Sequence, residues 1–170
     1  MCLAELVEAQ FGKDKWQQIM TAAGLQPTRK FLLIETTSDK DFTNLLAATS
    51  QVLKLSQEQT AQAFGEHWCT IFAPRIYDPY FKRAANAREF LLQMESVHVR
   101  ANKNMPMASP PHFQYEEEGP GKLVMQYSSE RNLEELWIGL IKGVGKAFHE
   151  RLEINRLDKN RVEVVFCGPA

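Results

Sequence analysis

Three features of this 170-residue chain could do chemistry: a histidine on an apolar helix face, a row of donor side chains closing a strand, and three scattered cysteines. His98 is spaced three, four or seven residues from Leu91, Met94, Ala101 and Met105, so all five share one helix face. An imidazole there must satisfy two nitrogens away from water. It is either a core histidine bonded to a carbonyl, or a single neutral nitrogen projecting into an apolar cavity, the axial ligand that haem iron takes. His67, His112 and His149 have no partners at zinc-ligand spacing.

Period-two alternation through Tyr127-Ser128-Ser129-Glu130-Arg131 puts Tyr127, Ser129 and Arg131 on one face. A phenol, a hydroxyl and a guanidinium in a row are either a polar sheet face or a cradle for carboxylates, such as the two propionates of a haem. Pro110-Pro111 follows His98 by 12 residues and precedes a strand pattern. It is a stiff loop leading into a sheet or a stiff wedge against a flat ligand. Gly139 and Gly143 lie four apart in a helix pattern, where each costs about 1 kcal/mol against Ala. Close helix packing accounts for such a pair, with close approach to a ligand as the alternative. Cys2, Cys69 and Cys167 have no catalytic base placed near them by sequence. No glycine-rich phosphate loop and no Gly-x-Ser-x-Gly elbow is present.

The elements that must position these groups fall into two stretches. Leu3, Leu6, Val7 and Phe11 predict a first helix stopped by Gly12. Asp14 is expected to cap a second, carrying Trp16, Ile19 and Met20 and closed by Gly24. Phe31-Leu32-Leu33-Ile34 is an apolar run of ambiguous type. Asp39 or Asp41 caps a helix through Leu53. Ser56-Gln57-Glu58-Gln59 is a capping box opening a helix expected to end before Pro74. Pro79 starts a short segment, and Asn86 caps the His98 helix. The later stretch alternates as two hairpins around Gly119-Pro120-Gly121 and Asp158-Lys159-Asn160-Arg161. Between them Asn132 is expected to cap a helix with Leu133, Leu136, Trp137, Leu140, Ile141, Val144 and Phe148 on one stripe. The order predicts an α+β domain with an antiparallel sheet of about four strands.

Composition bounds the function. Residues 1–170 suit a single domain with a real core. A net charge of −1 argues against nucleic acid or an anionic membrane surface as partner. No apolar run reaches membrane-spanning length, and no secretory signal is visible. An odd, dispersed set of cysteines fits a reducing, cytoplasmic setting.

Taken together, Phe64-Gly65, Val97-His98, Pro110-Pro111, the Tyr127, Ser129 and Arg131 row, and Gly139-Leu140-Ile141-Lys142-Gly143 resemble the haem nitric oxide/oxygen binding (H-NOX) family in order and spacing over nearly the whole chain. These are sensor domains of soluble guanylate cyclases and their stand-alone bacterial relatives. The resemblance implies one non-enzymatic domain, with a helical distal part over 1–60, a proximal part with the sheet over 61–170, and haem b between them. It implies His98 as the axial iron ligand, Tyr127, Ser129 and Arg131 on the propionates, and Pro111 pressing on the macrocycle. Met94, Trp68, Phe72, Leu136, Leu140 and Leu3 are expected in the pocket. Leu136 stands where oxygen-binding members place a distal tyrosine. An apolar distal side follows, with nitric oxide and carbon monoxide as ligands and no stable oxygen complex. The resemblance also implies that family members begin a few residues earlier, and that the zinc-binding cysteines of some bacterial members are unmatched. Nitric oxide would weaken the iron–His98 bond and shift the helix bearing it. At this length the output is expected to be a separate protein, a histidine kinase or a cyclic-di-GMP enzyme. The alternative is a haem-free interaction module that kept the fold. A haem peroxidase would need a distal acid–base pair that the sequence does not supply.

Overall fold

The computed structural model describes residues 2–29, 38–104 and 110–170, without the side chains of 101–104. The apolar run at 31–34 and the loop at 105–109 lie outside the described residues, as do the side chains of Ala101 and Met105. Among the described residues, seven α-helices and four strands follow in the order α1 (Cys2–Phe11), α2 (Lys13–Ala22), α3 (Asp39–Leu53), α4 (Gln57–His67), a π-helical turn (Trp68–Phe72), α5 (Ala73–Arg83), α6 (Ala87–Asn104), β1 (His112–Glu117), β2 (Lys122–Ser128), α7 (Glu134–Ala147), β3 (Glu150–Arg156) and β4 (Arg161–Pro169). The strands form one antiparallel sheet in the order β1-β2-β4-β3. The α+β architecture and both hairpins are as the alternation predicts.

Several helix ends differ from expectation. Ser38, not Asp39 or Asp41, caps α3, its hydroxyl accepting the Asp41 N–H at 3.1 Å. The two aspartates occupy the first turn, where the helix dipole favours them. Asp14 likewise sits inside the first turn of α2, after a Gly12 whose φ of +86° makes the sharp turn out of α1. Asn132 does not cap α7. Its own φ is +49°, its amide donates to the Glu130 carbonyl at 2.9 Å, and Leu133 stands at the cap. The capping box at Ser56 and Gln59 and the Asn86 cap of α6 are both formed.

The helix after Ser56 does not stop before Pro74. It widens into the π turn and continues as α5, with Pro74 in the first turn of α5. Nor does Pro79 start a segment. It lies inside α5 just beyond a kink at Tyr77 (φ −113°, ψ 23°). Both irregularities turn aromatic side chains inward.

Two apolar clusters make up the core. One gathers Leu3, Leu6, Val7, Trp16, Ile19, Met20, Leu45 and Phe64 among the early helices. The other packs Phe90, Leu91, Phe113, Met125, Tyr127, Trp137 and Ile141 between α6, α7 and the sheet. Trp68 borders both. Helices α4 and α7 hold the halves together at backbone contact. A Cβ on Gly65 would lie 2.5 Å from the Leu136 carbonyl oxygen, and one on Gly143 would lie 2.6 Å from Cys69 Cβ and 2.8 Å from the Glu66 carbonyl oxygen. Helix packing therefore accounts for Gly139 and Gly143.

Candidate functional site

Between the clusters lies a cavity of about 350 Å³, within the usual range for a small-molecule or cofactor pocket. Its walls follow from helical periodicity. α6 contributes Phe90, Leu91, Met94, Val97 and His98, and α7 contributes Leu136, Trp137, Leu140, Ile141 and Val144. The π turn and α5 add Trp68, Cys69, Ala73, Tyr77, Tyr80 and Phe81, and the sheet adds Phe113, Met125 and Tyr127. Pro111, Ser129 and Arg131 also line it.

His98 is half-buried, with its ring 5.5 Å from that of Phe113. Its Nδ1 lies 3.4 Å from the Pro111 carbonyl oxygen. A carbonyl can only accept, so this bond puts the ring proton on Nδ1 and leaves the Nε2 lone pair available. Burial pushes the imidazole below its ordinary value of 6.5, against the smaller opposing effects of the Pro111 carbonyl and the Glu95 charge. The neutral ring is the form that ligates a metal.

One turn earlier on α6, Glu95 accepts the Phe113 N–H at 2.7 Å and faces His112 Nδ1 at 3.0 Å. Burial pushes its carboxyl up, but the His112 and Phe113 hydrogen bonds outweigh this and hold it below the ordinary carboxylate value.

The donor row is in place but engaged. Tyr127 is 4 % exposed and stacks on Trp137, with centroids 5.3 Å apart at 21°. Ser129 Oγ accepts the Arg131 N–H at 3.2 Å, leaving its hydroxyl hydrogen free to donate. Arg131 pairs with Asp39 of α3 at 2.7 Å, with its guanidinium 5.6 Å from the Phe42 centroid.

Nine sequence-derived candidates thus line one cavity: His98, Pro111, Met94, Trp68, Leu136, Leu140, Tyr127, Ser129 and Arg131. Leu3 and Phe72 do not. Leu3 is buried in the early-helix cluster and Phe72 packs against that cluster. Tyr77, Tyr80 and Phe81 also line the cavity, which the sequence pattern does not indicate. Their helical spacing after Pro74 is legible, but the turn that aims them inward is not. Among the described residues, no three His, Cys, Asp or Glu side chains gather as a metal site, and no helix is long and apolar enough to cross a membrane.

An apolar cavity lined by one imidazole and by a phenol, a hydroxyl and a guanidinium that can donate to carboxylates suits a flat, anionic macrocycle. The model of the family described as haem-NO-binding matches residues 1–156, and the chain belongs to that family, a class of haem-based gas-sensor domains without catalytic activity of their own. Soluble guanylate cyclase gcy-32 of Caenorhabditis elegans is 25% identical over 165 residues, 95% of this chain and 24% of that protein. Soluble guanylate cyclase gcy-34 of the same organism is 26% identical over 148 residues, 85% of this chain and 22% of that one. The chain thus spans about a quarter of the length of these relatives. Among solved structures, a Cs H-NOX mutant carrying 4-cyano-L-phenylalanine superposes with a TM-score of 0.86 at 21% identity, covering 99% of this chain and 95% of that one. An oxygen-binding H-NOX domain related to soluble guanylate cyclases, in its oxygen complex, superposes with a TM-score of 0.80 at 22% identity, covering 99% and 93%.

Proposed function

We propose that this domain senses nitric oxide, with carbon monoxide as a second ligand, through a haem b whose iron His98 holds, and that it reports to a separate signalling protein in the cytoplasm. The observation that carries the reading is His98, its Nδ1 on the Pro111 carbonyl, lining an apolar cavity that Tyr127, Ser129 and Arg131 also line. When bound, haem supplies an iron that takes a diatomic gas as ligand.

The residues divide the work. His98 offers Nε2. Tyr127, Ser129 and Arg131 donate to the propionates, with Arg131 giving up or sharing Asp39 to do so. Pro111 would set a rigid ring against the macrocycle, and its carbonyl orients His98. Leu136, Leu140 and Trp68 make an apolar wall that offers dioxygen little hydrogen bonding, which nitric oxide does not need. Residues 1–60 form the distal part and 61–170 the proximal part of one sensor domain. The partner is a histidine kinase or a cyclic-di-GMP enzyme, which must bind the gas-loaded and gas-free states differently.

A second reading, a haem-free interaction module, draws support from Arg131 already having a carboxylate partner in Asp39. Absorption spectra separate the two. Purified protein given haem is expected to show a five-coordinate ferrous spectrum and a five-coordinate nitric oxide complex. Absence of a Soret band refutes the sensor reading. His98→Gly is expected to lose haem or to need added imidazole, and unchanged affinity removes His98 as the ligand. A stable ferrous oxygen complex in air would overturn the reading of Leu136, with Tyr77 and Tyr80, which also line the cavity, then the phenols to test.

A further inference from the structure

One face of α6 is stitched to β1 and to Pro111 just before it by four rungs of side-chain contact. Arg88 reaches Glu117 at 2.5 Å, the Tyr115 hydroxyl donates to the Leu91 carbonyl at 2.9 Å, Glu95 takes the Phe113 N–H and His112, and His98 meets the Pro111 carbonyl. Along the helix the rungs advance by three, four and three residues, one turn at a time. Along the strand they retreat by two, from 117 to 111. A turn rises about 5.4 Å and two strand residues about 6.7 Å, so an antiparallel helix and strand can share this ladder.

The rungs are unequal. Among the described residues β1 is an edge strand paired with β2 alone, with His112 opposite Ser128 and Phe113 opposite Tyr127. The Phe113 N–H that Glu95 accepts would otherwise have no backbone partner. Pro111 stands just before the strand begins, so its carbonyl is held by what fixes the two residues after it. Glu95 uses both carboxylate oxygens for that, one on His112 and one on Phe113. It does so from the turn of α6 immediately before His98.

We propose that Glu95 is a positioning residue for His98. By gripping the His112-Phe113 segment it holds the Pro111 carbonyl where the His98 Nδ1–H needs it, and so sets the tautomer and orientation of the ring. Its consequence at the iron rests on His98 being the axial ligand, whereas its effect on the ring does not.

The test uses Glu95→Ala, Glu95→Gln and Tyr115→Phe, the last removing a different rung of the same ladder. Nitrogen-15 spectra of the histidine rings in haem-free protein read the tautomer directly. Glu95→Ala is expected to move His98 from a single Nδ1–H tautomer toward a mixture. Glu95→Gln, which keeps an oxygen for the Phe113 N–H, restores most of the single tautomer, and Tyr115→Phe leaves it unchanged. An unaltered His98 signal in Glu95→Ala overturns the proposal, as does an equal change in Tyr115→Phe, which would mean that any loosening of the ladder suffices. In haem-loaded protein, losing the acceptor makes the imidazole a weaker donor. The iron–histidine stretching frequency is therefore expected to fall in Glu95→Ala and to hold in Tyr115→Phe, and equal shifts again overturn it. Imidazole rescue of His98→Gly separates the two failures. If His98 proves not to be the ligand while the tautomer still follows Glu95, the sensor reading falls and the positioning role stands.

Discussion

Replacing Gly139 by alanine tests how the two halves of the domain are held against the cavity. A Cβ built there would lie 2.6 Å from Gln62 Cα and 2.8 Å from the Gln62 carbonyl carbon, and closer still to its carbonyl oxygen. Carbon atoms rest about 3.5–4.0 Å apart, so α4 and α7 must part by roughly 1 Å. All three obstacles are backbone, so no rotamer change relieves the clash. Alanine gains up to about 1 kcal/mol of helix propensity. Overpacking typically costs about 1–3 kcal/mol, and the separation also loosens the contacts at Gly65 and Gly143. The net expectation is a loss of about 1–2 kcal/mol, or roughly 2–8 °C in Tm for a domain of this size. The assay is thermal and denaturant unfolding of haem-free protein. Gly121→Ala is the internal control. Nothing lies within 4 Å of the Cβ it would add and its φ is ordinary, so it is expected to stabilise by about 0.4–1 kcal/mol. Because Leu136 and Leu140 line the cavity from the same crossing, Gly139→Ala should also weaken haem retention. A midpoint at or above that of the parent protein would refute the packing argument.

Three further outcomes follow from the ion pair and from buried groups. Asp39→Asn removes the carboxylate that competes for Arg131. The pair is exposed and worth at most about 1 kcal/mol, so haem affinity should rise up to about fivefold in a titration of haem-free protein; a fall would mean that Asp39 orients the guanidinium. The haem-free fold should lose stability as pH drops below 6.5. Burial depresses both His67 and His98 from that value, so the unfolded chain binds more protons there than the folded one. It should also lose stability above pH 9, because burial pushes the Cys2 and Cys69 thiols up to about 12 and only the unfolded chain ionises in between. Urea midpoints at pH 5.5, 7.5 and 10 measure both slopes, and equal midpoints would refute the assignment.

The amino-acid sequence by itself determined what is local. The Ser56–Gln59 capping box, the glycine stop at Gly12, the two hairpins and the stripes of α6 and α7 each depend on residues a few positions apart, whose geometry propensity and periodicity dictate. The stripes sufficed to bring His98, Met94, Leu136 and Leu140 to one cavity, because helical periodicity specifies which side chains share a face. Tertiary contacts decided the rest. The π turn and the Tyr77 kink replace a helix end that Pro74 and Pro79 suggested, since packing against α7 outweighs local propensity, and they bring Tyr77 and Tyr80 inward. Leu3 lies in the early-helix cluster and Phe72 packs against it because the stacking of helices, not their periodicity, determines which apolar face meets which. The sequence leaves two readings of Gly139 open, and the backbone of Gln62 in another helix, packed against it, selects close helix packing. Arg131 meeting Asp39, and Glu95 meeting Phe113, join residues far apart in the chain. Such pairings carry no local signal, because the free energy that selects them exists only once sheet and helices have packed.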